Sequence, residues 1–354
     1  MKKLLFSALA LTLLFSSCNE DKSEELQQET NIDMSDFYVY TDADIDESLR
    51  MAEGKPVCHT MVNLNRLLNE DRGLEKKMYD IEYQSRSLIA AKGKPGGNGG
   101  GPGDGGSGGD DVTPIDDGLG TLNIPVYVHV VYSNSNQNIS DNQIGSQIAV
   151  LNEDFRLANS DASQLPAEFS NDITDTEIEF TLAGTFRHAN STASWGTNDA
   201  VKNAYPPVTP DTHLNIWVCN IGGGILGYAQ FPGGPSGTDG VVVGPQYFGT
   251  TGYVASPFDG GRTTTHEVGH YLNLRHIWGD GRCNRDDFVV DTPKSDAPNY
   301  GCPSYPTYNC KSNDMTMNYM DYVDDACMYM FSDGQRNRMR ALFAPGGVRE
   351  GLAN

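Results

Sequence analysis

The spacing of apolar residues changes at a glycine-rich stretch about a third of the way along the chain. Before that stretch, apolar residues at near-helical intervals predict a helix over residues 74–90 and a shorter one over 61–68. After it, the continuous apolar run 122–132 is typical of a buried strand. The pattern predicts further strands at 177–186, 214–219, 228–231 and 240–243.

Capping signals predict three helices in the same part of the chain. Ser140 starts a helix that runs to about residue 156, and Gln143, three positions later, completes a capping box. A second helix begins near Arg262, and a third, capped by Ser332, extends to residue 343. The order of strand, helix, strands and helix, followed by an irregular tail, predicts a mixed α+β domain.

The glycine-rich stretch divides the chain. Residues 93–109 contain 11 glycines in 17 positions, a composition that cannot bury enough apolar surface to offset its loss of conformational entropy. We therefore expect an N-terminal segment at residues 19–92, a flexible linker at 93–118 and a C-terminal domain at 119–354. Arg86 and Lys92 are the expected points of cleavage between the two parts.

The charge of the chain excludes some partners. Its 354 residues include 47 acidic and 25 basic side chains, which give a net charge of −22. Such a surface repels nucleic-acid phosphates and anionic lipid headgroups. We expect no nucleic-acid partner, and contact with a membrane only through an attached lipid.

The first 18 residues have the pattern of an export signal. Lys2 and Lys3 precede the apolar run 4–15, which is shorter than the roughly 20 residues of a membrane span. Residues 15–18, Phe-Ser-Ser-Cys, resemble a bacterial lipobox, in which Cys18 is lipidated and becomes the mature N-terminus. The alternative is an ordinary signal peptide. Both predict an extracytoplasmic protein, either an outer-membrane or cell-surface lipoprotein or a secreted protein.

Six further cysteines follow Cys18. Four of them lie within 45 residues near the C-terminus, a density that predicts two disulfides in an oxidising compartment and leaves three pairings open. The other two, Cys58 and Cys219, stand apart from this group.

The residues that point most clearly to chemistry form the sequence HEVGHYLNLRH, which ends at His276. His266 and His270 lie one helical turn apart, about 40° from each other around the helix, so both imidazoles can hold one ion. Glu267 lies beside them, where a general base for a metal-activated water is expected. His276 would lie on the wrong side of a continued helix. The helix must therefore end, and Asn273 is the residue that tolerates the left-handed conformation of a sharp reversal.

This HExxHxxNxxH pattern resembles the metzincin zinc-endopeptidase signature, which carries glycine where this chain has Asn273. Residues 318–322, Asn-Tyr-Met-Asp-Tyr, resemble the methionine-containing turn of the same proteins. Further stretches narrow the resemblance to the pappalysin (M43, cytophagalysin-like) family, over most of residues 120–345. The resemblance implies a metzincin-type zincin domain of α+β class. Such a domain has a twisted mixed sheet, backing and active-site helices, and an irregular disulfide-stapled C-terminal subdomain, and a small pro-segment precedes it.

The resemblance also implies roles for individual residues. Zinc would be held by His266, His270 and His276. Glu267 would take a proton from the attacking water and pass it to the leaving amine. Tyr322 would donate a hydrogen bond to the developing oxyanion.

Further implied roles concern the surroundings of the metal. Met320 would form an apolar floor beneath it. The strand that binds an extended peptide by β-augmentation would contain Gly227, Tyr228 and Ala229. The partners are then protein or peptide substrates, and the protein is expected to be a monomer.

For the cysteines of the C-terminal group, the resemblance implies two interleaved disulfides, Cys283–Cys310 and Cys302–Cys327. Cys219 follows a buried strand and is expected to be a free, inert thiol.

Cys58 precedes the linker, where related zymogens carry a cysteine whose thiolate occupies the fourth zinc position. The resemblance therefore implies that Cys58 is the zymogen switch of a latent precursor. The alternatives are a Cys58–Cys219 bridge and an unpaired thiol.

The acidic residues Asp286, Asp287 and Asp291, with Thr292, lie where relatives hold structural calcium, and hard oxygen ligands suit that ion. The alternative is a solvated acidic loop. Some relatives prefer a basic residue after the scissile bond through an acidic residue just before the last cysteine. Ala326 occupies that position here, so the resemblance does not predict that preference.

These observations predict an exported zinc-dependent endopeptidase, made as a latent zymogen, with calcium as a second cation. The alternative from another class is a surface binding or adhesion lipoprotein with a non-catalytic zinc site. Glu267 favours the enzyme, because a structural zinc site needs no carboxylate beside its ligands. A different zinc hydrolase, such as a deacetylase, would explain neither the methionine turn nor the peptide-binding strand.

Overall fold

The computed structural model describes residues 31–55, 57–93 and 112–353. The expected export signal, Cys18 and most of the linker lie outside the described residues. The α-helices are α1 Ala43–Ala52, α2 Thr60–Glu70, α3 Leu74–Lys92, α4 Asp141–Phe155, α5 Ala200–Ala204, α6 Arg262–Tyr271 and α7 Asp333–Ala341. The strands are β1 Val57–Cys58, β2 Leu122–Tyr132, β3 Ile178–Ala189, β4 Leu214–Val218, β5 Ile225–Ala229, β6 Val241–Val243, β7 Tyr300–Gly301, β8 Tyr308–Asn309, β9 Ser312–Asn313 and β10 Tyr322–Val323.

A six-stranded sheet in the order β1-β5-β6-β4-β2-β3 organises the fold. β2 pairs in parallel with β3 and β4, and β4 pairs in parallel with β6. β5 runs antiparallel to β6, and β1 adds to β5 in parallel as an edge strand. The sheet is therefore mixed, as predicted, and the N-terminal segment supplies the edge strand β1.

One face of this sheet packs against α4 and α6 and forms the main hydrophobic core. Val126, Val128 and Val130 of β2 are fully buried there, because alternate side chains of a strand point to the same face. Phe155 of α4 and Val268 of α6 belong to the same cluster. This packing fixes α6, the helix that carries the histidine motif, against the sheet.

The helix caps agree only in part with the prediction. The Ser140 hydroxyl accepts from the Gln143 amide at 3.2 Å, as expected. The Gln143 side chain does not close a capping box, however, and that prediction was wrong. Its amide instead donates to the carbonyl oxygens of Pro245 and Phe248, both at 2.9 Å, because Gln143 is buried against that loop.

The N-terminal segment folds onto the C-terminal domain as three helices and one short strand. Its α2 and α3 match the predicted helices, whereas the sequence pattern did not predict α1. Met61, Leu64 and Met78 form a small hydrophobic cluster with Phe231 of the C-terminal domain. The segment therefore completes its core with a side chain from the other part of the chain.

The region after α6 is irregular, with four strands of two residues each. Its two disulfides are Cys283–Cys310 and Cys302–Cys327, the pairing that the resemblance implies. Among the described residues, no helix is both long enough and apolar enough to cross a membrane.

Candidate metal centre

Helix α6 ends where the motif requires. Asn273 has a φ of 71°, in the left-handed region, two residues after the helix end at Tyr271. The Leu274 amide then donates to the Gly269 carbonyl at 2.9 Å, which turns the chain back. The predicted break at Asn273 is confirmed, and it returns His276 to the face that carries the other two histidines of the motif.

The three histidines share one protonation pattern. Each Nδ1 has an oxygen acceptor, namely Tyr319 O at 2.7 Å for His266, Leu274 O at 2.8 Å for His270 and Asp280 Oδ1 at 2.5 Å for His276. Because an oxygen acceptor places the ring proton on Nδ1, each Nε2 keeps a lone pair. The Nε2 atom of His270 lies 3.1 Å from the Nε2 atoms of both other rings.

Three lone pairs that converge at this distance repel one another unless a cation lies among them. Burial and the neighbouring His276 ring lower the pKa of His266 to about 3, which keeps this ring neutral and able to bind a metal. The Sγ of Cys58 joins the group, and the four ligand atoms all lie within 4.8 Å of one another. Three imidazoles and one sulfur are a donor set that tetrahedral zinc accepts, so these residues fit the predicted metal.

Glu267 is fully buried beside this cluster. Burial raises the pKa of its carboxyl group to about 7, although a hydrogen bond from Thr60 opposes the shift. β5 passes very close to it, since a Cβ added at Gly227 would lie 3.0 Å from Glu267 Oε1. Glycine at position 227 therefore lets the strand and the carboxylate share this space.

Met320 lies on the other side of α6. Its side chain is fully buried, and a Cβ added at Gly269 would lie only 2.5 Å from its sulfur. The Met320 carbonyl also accepts from the Ile277 amide at 3.4 Å, just after the last histidine of the motif. The methionine thus packs directly against the helix that carries the histidines.

Cys58 reaches the cluster from the N-terminal segment. It is buried and free, and so is Cys219, so the alternative Cys58–Cys219 bridge is not formed. Burial, and then the charge of Glu267, raise the pKa of the Cys58 thiol. A cation at the cluster would act in the opposite direction and favour the thiolate.

Thr60 makes a contact that sequence reasoning missed. Its hydroxyl donates to Glu267 Oε2 at 2.6 Å and accepts from the Ala229 amide at 2.7 Å. The side chain of Asn63 donates to the Ala229 carbonyl at 3.1 Å. Two side chains of α2 therefore occupy both backbone groups of Ala229.

The N-terminal segment also contacts Tyr322. The Tyr322 hydroxyl lies 3.2 Å from the Cys58 carbonyl oxygen and 3.2 Å from Glu47 Oε1. Its ring lies 4.9 Å, between centroids, from that of His276. Glu47 belongs to α1, the helix that the sequence pattern did not predict, so no local signal could have identified this contact.

A pocket opens beside Glu267. Val57, Leu226, Thr263 and Val323 contribute to its lining, together with Asp325. The Asp325 carboxylate accepts from the Gly260 amide at 2.8 Å and the Arg262 amide at 3.2 Å, and burial raises its pKa to about 7. Its neighbour, the exposed Ala326, is not part of this lining.

The four residues of the acidic loop do not converge on one point. The Thr292 hydroxyl bonds both carboxylate oxygens of Asp287 at 2.8 Å. Asp291 instead accepts from the Ser332 hydroxyl at 2.7 Å and the Gly334 amide at 2.8 Å, at the start of α7. Burial, and then the charge of Asp286, raise the pKa of Asp287.

Comparisons with known proteins agree with this geometry. The family model Peptidase M43, described as pregnancy-associated plasma protein-A, matches residues 210–344. An extracellular metalloprotease of Pyricularia oryzae is 34% identical over 238 residues, which cover 63% of this chain and 75% of that protein. One from Arthroderma benhamiae is 32% identical over 225 residues, 62% of this chain and 76% of that protein.

Two solved structures from Tannerella forsythia are also similar. Mature mirolysin in complex with a cleaved peptide is 46% identical, with a TM-score of 0.64 over 66% of this chain and 96% of that one. A promirolysin mutant is 39% identical, with a TM-score of 0.72 over 84% of this chain and 97% of that one. With an HExxH helix, a converging histidine cluster and these relatives, the chain belongs to the M43 (pappalysin) family of metalloendopeptidases.

Proposed function

We propose that this protein is an exported zinc-dependent endopeptidase that its own N-terminal segment keeps latent. In this proposal residues 1–18 are the export signal, 19–92 the pro-segment, 93–118 the linker and 119–354 the catalytic domain. The observation that carries the proposal is the convergence of Cys58 Sγ with the three Nε2 atoms within 4.8 Å. A pro-form among the relatives supports it, because promirolysin matches 84% of this chain and mature mirolysin 66%.

His266, His270 and His276 would hold zinc through Nε2. When bound, zinc supplies a Lewis acid that polarises the peptide carbonyl and acidifies the attacking water. Asp280 accepts a hydrogen bond from Nδ1 of His276, on the side of the ring away from the metal position, and so fixes the orientation of that ring.

Glu267 serves as the general base. It takes a proton from the water that attacks the peptide carbonyl and passes that proton to the leaving amine, which breaks the C–N bond. Tyr322 donates a hydrogen bond to the oxygen that gains negative charge in this step. The backbone groups of β5, from Gly227 to Ala229, bind the substrate as an added strand.

Latency follows from what the N-terminal segment occupies. Cys58 takes the fourth metal position, Thr60 holds the carboxylate of Glu267, and Glu47 lies on the hydroxyl of Tyr322. After Cys58 the chain enters α2, so no extended peptide of the segment continues along β5 past Gly227. The segment therefore blocks the site without placing one of its own peptide bonds where it could be hydrolysed.

The linker is the expected place of activation. Arg86 is a poor point of cleavage, because it lies within α3 and pairs with Glu82 and Asp36. Lys92 is exposed at the last position of α3 and is the better candidate. We call the chain that has been cut there, and has lost the N-terminal segment, the processed chain.

The test uses the processed chain on a denatured protein substrate. We expect cleavage that a zinc chelator abolishes and added zinc restores. E267Q should lower kcat by about a thousandfold or more, because general acid-base catalysis contributes roughly 10²–10⁴-fold and the base is lost. E350Q, at an exposed glutamate in the C-terminal region, is the matched control and should retain activity. Cleavage by E267Q at the parent rate would contradict the proposal and favour a non-catalytic metal site.

The named relatives are extracellular, which supports export of this protein. We propose that Cys18 carries the lipid anchor, so that cleavage in the linker frees the C-terminal domain from the membrane once the cut segment has dissociated, and latency ends at the same step. Labelling with a radioactive fatty acid should mark the uncut chain and not C18A. Equal labelling of both would contradict the anchor.

We propose that a calcium ion binds at Asp286 and Asp287. The support is the buried carboxyl of Asp287 directly beside that of Asp286, since hard oxygen ligands suit this ion. Calcium would replace Lys294, which lies 3.3 Å from Asp286 Oδ2. Asp291 and Thr292 would stabilise the loop instead, through Ser332 and through Asp287. Calcium should raise the Tm of the uncut chain and should not raise that of D287N; equal shifts would contradict the site.

A further inference from the structure

The N-terminal segment covers a cationic and aromatic surface of the C-terminal domain. We call Arg275, Phe288 and Arg338 the arginine–phenylalanine surface. The guanidinium carbons of Arg275 and Arg338 lie 4.7 Å and 5.5 Å from the centroid of the Phe288 ring. Each arginine is only 3% exposed while the segment is in place.

The segment shows which chemistry this surface accepts. Glu82 of α3 binds Arg338 with both carboxylate oxygens, at 2.9 Å and 2.5 Å. Arg275 donates to the Tyr38 carbonyl at 2.6 Å and lies 4.5 Å from the centroid of the Tyr38 ring. The Phe37 ring stacks on Phe288 with centroids 6.1 Å apart. Arg86 of α3 also lies over Phe288, 5.1 Å from the ring centroid, and pairs with Glu82. The two arginines of the surface itself are therefore covered by a carboxylate and by an aromatic residue of the segment.

Release of the segment would take hydrogen-bond partners away from both arginines. Arg338 would lose its carboxylate, and Nη1 of Arg275 has no hydrogen-bond partner within the described chain even now. Cationic groups stripped of an anion in a partly buried setting favour a replacement. The surface is cationic although its domain is acidic: residues 119–354 carry 25 acidic and 13 basic side chains, a net charge of −12.

The surface is connected to the metal centre. Arg338 Nε donates to the Asn273 carbonyl at 2.8 Å, within the turn that joins the second and third histidines of the motif. Arg275 directly precedes His276. The surface is therefore joined through both arginines to the stretch of chain that carries the histidines.

We propose that, once the N-terminal segment has left, the arginine–phenylalanine surface binds a segment of the substrate that carries an aromatic residue and a carboxylate. This inference rests on the proposed function, because it requires a protease that loses its N-terminal segment. The surface selects substrates by binding alone and takes no part in the chemical step. It should therefore act on KM and not on kcat.

The experiment uses the processed chain, since the mature form of a relative is a folded structure of its own. One peptide that the processed chain cleaves serves as the core. Three versions are compared: the core alone, the core with a flexible Phe-Tyr-Glu-Glu extension, and the core with Phe-Tyr-Gln-Gln. Each extension is attached to either end in turn, and kcat and KM are measured separately.

We expect the acidic extension, on one of the two ends, to lower KM about tenfold relative to its amide version, as hydrogen bonds to charged groups do. R338K should reduce this ratio to about twofold, because lysine cannot form the bidentate pair. F288L is the second variant and should weaken both extended peptides. R187Q, at an arginine of β3 that pairs with Asp141, is the control and should keep the full ratio.

Equal KM values for the acidic and amide peptides on both ends would overturn the inference, while cleavage of the core would leave the proposed function intact. If the processed chain cleaves no peptide, so that no core can be chosen, the proposed function fails. Anisotropy of a labelled Phe-Tyr-Glu-Glu peptide with the processed chain then decides the inference separately. Binding that R338K weakens supports it, and absence of binding by the parent contradicts it.

Discussion

The N-terminal segment meets the C-terminal domain in two regions that differ in chemistry. At the metal centre its contacts to the histidine cluster and to Glu267 come from small side chains, the thiol of Cys58 and the hydroxyl of Thr60. At α7 its contact is a buried ion pair, in which the side chains of Glu82 and Arg338 are 2% and 4% exposed. We call the first the blocking contact and the second the anchoring contact.

The difference indicates a division of labour. The blocking contact occupies the groups that perform hydrolysis, and it involves few atoms. The anchoring contact involves full charges, so breaking it by losing one partner leaves the other charge buried and unpaired. Mutations should therefore separate blocking from binding. The variants below test this separation in order of decreasing expected effect.

E82Q should break the anchoring contact. It leaves Arg338 buried without its carboxylate, and such losses typically cost about 3–5 kcal/mol, or at least a hundredfold in affinity. After the linker is cut, the N-terminal segment should then separate from the C-terminal domain in gel filtration, whereas the parent segment co-elutes. E75Q, at an exposed position of the same helix, is the control. Co-elution of the E82Q segment with parent affinity would show that the Glu82–Arg338 pair does not hold the segment in place.

C58A should weaken the block without releasing the segment. Loss of the sulfur ligand should raise the activity of the uncut chain about tenfold, because thiolates are strong zinc ligands. The cut segment should still co-elute, because Glu82 is intact. C219A, at the other buried free cysteine, is the control. An uncut C58A chain as inactive as the parent would show that Cys58 is not the zymogen switch.

T60V should have a smaller effect on the same activity. It removes the hydrogen bond to Glu267 while Cys58 still holds the metal, so we expect about a threefold rise in the uncut chain. T60S keeps the hydroxyl and should behave as the parent. A T60V chain with parent activity would mean that the Thr60 hydroxyl stabilises only the fold.

The anchoring contact should also depend weakly on pH. Burial opposes ionisation of Glu82, but Arg338 and Arg86 outweigh it and lower its pKa to about 2 from an ordinary 4.5. Its contribution to binding is therefore complete above about pH 4.5 and is lost as the pH falls towards 2. Glu82 alone should lower the affinity of the cut segment about fourfold between pH 6 and pH 4. This contribution is the difference between the pH profiles of the parent and of E82Q, and identical profiles would contradict it.

The two regions also differ in how well the sequence predicts them. The histidine motif is local, so its spacing alone predicts the helix, the break at Asn273 and the convergence of the three rings. Thr60 and Glu267 are 207 residues apart, and Glu82 and Arg338 are 256 apart. The spacing of apolar residues cannot predict such contacts, because they depend on how two separate parts of the chain pack.

The misses have similar causes. Gln143 has the spacing of a capping box, but burial brings its amide to the carbonyls of Pro245 and Phe248, which gain more from it than the exposed helix start would. Asp291 was expected beside Asp286 and Asp287, but its carboxylate accepts from Ser332 and Gly334 at the start of α7; calcium binding by the loop stays a prediction. In both cases tertiary partners that no local pattern contains decided the outcome.

Zinc K-edge X-ray absorption on the uncut chain and on the processed chain would show whether Cys58 binds the metal. We expect one sulfur at about 2.3 Å and three nitrogens at about 2.0–2.1 Å in the uncut chain. The sulfur should be absent after the linker is cut and the segment removed, and absent from uncut C58A. A zinc site with only nitrogen and oxygen ligands in the uncut parent chain would contradict the account.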